Sequence, residues 1–175
     1  MPSLIQDDNS ASGPRYVRKM VASRYVVSTE RFMHVPASTI FDVIADPRRH
    51  PDFDGSGSVI LARLDAPPRL FLGAKFAMDM KRGLRYGMAS TVTEFDENRR
   101  IAWAPKPASG TGARFFGRVW RYELEPAEGG TLVRETWDIS HEPFRLLLRY
   151  MSGARFRKDM VKSLILLERL VTTPT

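Results

Sequence analysis

From Ser58 to Ser140 apolar and polar residues alternate through SVILARL (58 to 64), AKFAMDMKR (74 to 82), LRYGMASTVTEF (84 to 95), RIAWAP (100 to 105), ARFFGRVWRYELEP (113 to 126) and TLVRETWDIS (131 to 140). A period of two over segments of this length predicts β-strands, because successive side chains point to opposite faces. The separators APPRLFLG, a single Gly83, DENR, KPASGTG and AEGG are short and rich in turn residues. They predict an antiparallel meander. An earlier segment, RYVVSTERFMHV, is rich in β-branched and aromatic residues and adds a first strand before Pro36.

Two stretches break this period. In PASTIFDVIAD, Ile40, Phe41, Val43 and Ile44 recur at helical spacing, Ser38 is placed to cap the first turn, and Pro47 ends the helix after Asp46. In the last segment Met160, Leu164, Leu167 and Val171 form one stripe, joined by Val161 and Leu170, with Arg157, Lys158, Lys162 and Arg169 towards its flanks. That pattern predicts a long amphipathic helix, with Gly153 marking a place for a kink or a break. Residues 1–23 are polar and aperiodic and read as a flexible tail, so the fold proper spans 24–172. A lone sheet with one apolar face needs a cover. The economical α+β solution is a curved antiparallel sheet wrapped around the C-terminal helix.

Composition narrows the chemistry. Cysteine is absent, which removes disulfides, thiolate metal sites and nucleophilic thiols. No run approaches the ~18 apolar residues of a membrane span, and the chain reads as cytoplasmic. The net charge of +7 sits mainly at the two ends, leaving a nearly neutral body, so nucleic acid is not the expected partner. No P-loop, dinucleotide fingerprint, GxSxG or HExxH occurs, and GTGARFFG lacks the spacing and lysine of a phosphate loop. His34 and His141 stand apart from any recognisable triad or cluster.

DFDGSG, within DPRRHPDFDGSGS, resembles the start of a calcium loop. With Asp52 at position 1, Asp54, Ser56 and Gly57 fall correctly, but position 12 is Arg63 where a bidentate Glu is required. A strand also follows where a helix should stand. No metal is expected. The segment reads as a helix exit and a Gly-rich entry into the second strand, with Gly55 and Gly57 supplying backbone freedom.

Pro36-Ala37 leading to Phe41, Asp46-Pro47 followed by Phe53, Trp120 to Glu125 followed by Gly130-Thr131, and the closing helix occur in one order. Over residues 24–172 the chain resembles the START-like helix-grip superfamily, and more narrowly the bacterial polyketide cyclase/dehydrase and lipid-transport (SRPBCC) family. The resemblance implies a seven-stranded sheet, two short helices after the first strand, and a cavity between sheet and long helix. That cavity would take a lipid, sterol, polyketide or similar molecule, without a cofactor. It also implies that His50 and Phe53 lie near the cavity mouth.

Alternation names the lining. The inward positions are Phe76, Met78 and Met80; Tyr86, Met88 and Ser90; Ile101 and Trp103; Phe116, Arg118, Trp120 and Tyr122; and Val133, Glu135 and Trp137; Met160 and Leu164 come from the helix. Composition alone reads these as a filled core, whereas the resemblance makes them a ligand lining. Arg118 and Glu135 are either one internal ion pair or a working pair. In the second case Arg118 holds a carboxylate or carbonyl while Glu135 or Tyr122 moves a proton. The leading expectation is carriage or sensing of a small hydrophobic ligand; the alternative is a polyketide cyclase or dehydratase using the same cavity. Any membrane contact would be transient and made through the basic C-terminal helix, by a monomer or homodimer.

Overall fold

The computed structural model describes residues 24–63, 65–108 and 117–173. The stretch 1–23, read as a tail, and Phe116, read as a lining residue, lie outside them. Seven strands form one antiparallel sheet in the order β1-β7-β6-β5-β4-β3-β2. They are β1 (Val26–Met33), β2 (Val59–Ala62), β3 (Lys75–Arg82), β4 (Leu84–Asp96), β5 (Arg100–Pro107), β6 (Val119–Ala127) and β7 (Gly130–Asp138). From β3 to β7 each strand pairs with its predecessor, β2 forms one edge of the sheet, and β1 closes against β7 from Val26 opposite Asp138 to Met33 opposite Thr131. Register shifts in β2–β3 and in β4–β5 mark bulges, which bend and twist strands and help the sheet curl.

Between β1 and β2 stand α1 (Ala37–Ala45), a 3₁₀ turn (Pro47–Arg49) and α2 (His50–Phe53). Pro36 rather than Ser38 occupies the N-cap of α1, and no side chain caps it. The fixed φ of proline suits a helix start, and burial of Ile40, Phe41 and Ile44 holds the helix in place. The final helix α3 (Arg145–Thr172) runs unbroken through Gly153. One glycine costs about 1 kcal/mol in a helix, which the packing of Met160, Leu164 and Leu167 offsets. This is the helix-grip architecture, a curled sheet closed by a long helix.

The core fills one part of the interior. Met33, Ile40, Phe41, Ile44, Ile101, Val133 and Leu167 are fully buried, each contributing about 1.5–3 kcal/mol of transfer free energy. Leu164 belongs to this cluster. It packs there rather than in the cavity, one helical turn beyond Met160. None of the helices among the described residues is long and apolar enough to cross a membrane.

Candidate functional site

Between the concave sheet face and α3 lies a cavity of about 670 Å³, within the range of small-molecule sites. Its walls are built by strand alternation. Phe76, Met78 and Met80 come from β3, Tyr86, Met88 and Ser90 from β4, Trp103 from β5, Trp120 and Tyr122 from β6, and Glu135 and Trp137 from β7. Met160 contributes from α3, and Arg118 from just before β6. The inward faces assigned from the alternation therefore converge on one space.

Aromatic rings form two groups on that wall. His50 stacks on Trp103 with centroids 5.1 Å apart, and Trp103 stacks on Tyr122 at 5.7 Å. Phe53 meets Tyr122 edge-on at 6.2 Å, and Phe76 meets Trp103 at 6.0 Å. In the second group Phe156 lies 4.2 Å from Trp137 and 5.8 Å from Trp120. Such pairs combine large apolar area with defined geometry.

His50 and Phe53 are lining residues, but both are buried rather than set at an open rim. The cause is local. His50 Nε2–H donates to the Ile44 carbonyl at 2.8 Å, which fixes the tautomer and turns the ring inward. Burial lowers its pKa to about 4, against the bond to Ile44 and the carboxylates of Asp46 and Asp54. The ring is neutral at ordinary pH.

Tyr122 and Glu135 face each other across β6 and β7. The Tyr122 hydroxyl donates to the Glu135 carboxyl, and both groups are buried. Burial is the main reason that Glu135 is pushed up to about 8; the bond from Tyr122 opposes the shift, and the charges of Asp54 and Asp159 add to it. Burial likewise raises Tyr122 well above its usual range. Glu135 Oε2 has no hydrogen-bond partner, nor has Trp137 Nε1 or Asp159 Oδ2. All three belong to lining residues. Asp159 Oδ2, on α3, lies 3.8 Å from the Arg82 guanidinium and 3.9 Å from that of Arg155, whereas buried polar atoms such as Glu135 Oε2 and Trp137 Nε1, both on β7, are seldom left unsatisfied and favour a partner supplied by a bound molecule.

Arg118 does not pair with Glu135. Its Nε–H donates to Glu142 at 2.6 Å, because the chain after β7 brings Glu142 beside Arg118, while the strand register gives Glu135 to Tyr122. Several lining residues escaped the sequence reading, among them Phe156, Asp159, Asp54, Arg82 and Arg85. Phe156 and Asp159 lie on a helix whose strongest stripe runs through Met160, so period alone did not single them out.

The former calcium motif has other work. Asp54 accepts from the backbone N–H of Ser56 at 3.1 Å, Ser58 at 2.7 Å and Val59 at 2.8 Å. Gly57 permits the turn with a φ of +63°. Arg63 is paired on the outside with Asp79 at 2.8 Å.

The comparisons agree with this architecture. The uncharacterised protein Rv0088 of Mycobacterium tuberculosis is 37% identical over 105 residues, covering 59% of this chain and 42% of that protein. The chain thus spans about two fifths of the length of that relative. The crystal structure of NE0264 from Nitrosomonas europaea superposes with a TM-score of 0.66 at 15% identity, over 86% of this chain and 96% of the other. The solution structure of the Aha1 dimer from Colwellia psychrerythraea does so with a TM-score of 0.60 at 15% identity, over 83% and 95%. At those identities the two structures show the shared fold. Residues 24–172 match the family described as polyketide cyclase / dehydrase and lipid transport, and the chain belongs to that family.

Proposed function

We propose that the protein binds a small, largely apolar molecule in the cavity between sheet and α3, and carries or senses it. The observation that supports this most directly is the 670 Å³ space itself, walled by aromatic rings and methionines that adapt to varied shapes. The unpartnered atoms of Glu135 and Trp137 favour a ligand with at least one polar oxygen. The Trp137 N–H requires an acceptor. A ligand carboxylate is disfavoured beside Asp54 and Asp159, whose charges would repel it.

The test is native mass spectrometry of the purified chain, with thermal shifts against fatty acids, sterols and aromatic polyketides. A bound molecule, or a shift of several degrees with a neutral oxygenated compound, is the expected result. No bound species and no shift across the panel would end the ligand-binding reading.

A second reading rests on the Tyr122–Glu135 pair. A carboxyl held near neutrality gives up and takes back a proton readily, as cyclisation or dehydration of a polyketide requires. Glu135→Gln separates the two. A carrier keeps its affinity within a few-fold, whereas a cyclase loses turnover by about 10²–10⁴ with little change in substrate binding.

A further inference from the structure

Two elements beside the cavity turn apolar side chains to solvent among cations. The first is the start of α3, where Leu146, Leu147, Tyr150 and Met151 are exposed, Tyr150 at 91%, with Phe144 exposed just before the helix. Leu147, Tyr150 and Met151 are spaced three and four apart and share one outward face. In the next turns Arg155, Arg157 and Lys158 are also exposed. From Pro143 to Lys158 the chain holds five cations and no acid.

The second element is the turn from β3 to β4. Leu84 is 84% exposed there, between Arg82 and Arg85, both of which line the cavity. Arg82 ties this hairpin to α3: its guanidinium is 3.8 Å from the Asp159 carboxylate and 6.0 Å from the Phe156 ring centroid. The exposed ends of both elements therefore flank the side of the cavity built by Arg82, Arg85, Phe156 and Asp159.

Exposed apolar residues clustered in this way mark an interaction surface, and the charge around them selects the partner. Arg155 to Lys158 lie about 6–16 Å along the helix axis from Met151 and Leu147. That spacing suits side chains dipping to the headgroup and acyl boundary while a cationic collar meets lipid phosphates. The acid-free stretch would gain nothing from a basic or neutral partner surface. We propose that the start of α3, with the β3–β4 turn beside it, is a docking surface for an anionic membrane. Docking presents the Arg82 side of the cavity to the bilayer. The surface stands on its own residues, whatever the cavity holds.

The experiment is flotation of the full chain with vesicles of phosphatidylcholine alone, or of phosphatidylcholine mixed with phosphatidylglycerol. Sedimentation without lipid is measured alongside. The chain is expected to float with the anionic vesicles only, and less as salt rises. Leu147→Ser with Met151→Ser, and separately Arg157→Glu with Lys158→Glu, are each expected to weaken binding about tenfold or more. Arg169→Glu, near the far end of α3, should leave binding unchanged. The substituted positions are exposed, and circular dichroism checks that each variant is folded. Absence of flotation, or flotation indifferent to both pairs, overturns the proposal. So does a dimer in solution that Leu147→Ser with Met151→Ser dissociates without any vesicle binding, which would give the surface to a second copy of the chain.

Discussion

Glu135→Gln is expected to abolish a loss of stability that the native protein shows between about pH 6.5 and 8. Glu135 rises from its ordinary 4.5 to about 8 on folding. Between those values the folded state holds a proton that the unfolded chain releases, so stability falls as pH rises, by up to about 1.4 kcal/mol per pH unit. His50 has the opposite sign. Its pKa falls from 6.5 to about 4 on folding, so between those values the unfolded chain holds the extra proton and stability rises with pH. From about pH 4.5 to 6.5 the two slopes cancel. Above 6.5 Glu135 acts alone, at a cost of about 2 kcal/mol by pH 8.

The groups around Glu135 determine how far this holds. Tyr122 donates to it from β6, while Asp54 before β2 and Asp159 on α3 repel its charge. Arg82, Arg85 and Arg118 line the same space, but Arg118 is engaged by Glu142 and Arg82 lies towards Asp159. In the Gln variant the His50 slope survives, so stability should climb from pH 4 to 6.5 and then stay level. Urea midpoints from pH 4 to 9 for both proteins read this directly. Parallel curves above pH 6.5 would refute the assignment of a neutral carboxyl to Glu135.

Strand faces were legible because a period of two needs only residue order. Alternation places Val133, Glu135 and Trp137 on one face, and all three are buried. Partners were not legible. Alternation places Arg118 and Glu135 inward but says nothing of which group each meets. Tyr122 meets Glu135 through cross-strand register, and Glu142 reaches Arg118 from a segment with no period at all. His50 was misplaced for a similar reason. In sequence it is a polar residue in a Pro-rich connection, and only the Ile44 carbonyl and the Trp103 ring make it an interior one. Leu164 shares a stripe with Met160, yet the cavity ends between them, and no pattern of apolar residues records where a space stops.

Gly55→Ala is expected to destabilise the protein by about 3 kcal/mol, well beyond Gly57→Ala two residues on. Sequence assigns both glycines the same role, freedom at a turn. Gly57 fits it, with a φ of +63° and nothing within 4 Å of an added Cβ, so alanine there costs about 1 kcal/mol. Gly55 is required by a neighbour instead. A Cβ at Gly55 would lie 2.0 Å from the Asp159 carbonyl oxygen and 2.5 Å from the Ser163 amide nitrogen. Both are backbone atoms of α3, so no rotamer change relieves the clash. The segment must move off the helix, which breaks the bond from Gly55 N–H to Ser163 Oγ at 2.9 Å. Asp54 and Ser56 on one side of this joint, and Asp159 and Ser163 on the other, all line the cavity. The displacement should therefore weaken ligand binding as well as folding, whereas Gly57→Ala should leave binding intact. Equal urea midpoints for the two variants would mean that the joint between this segment and α3 gives way easily, and that it does not set the width of the cavity.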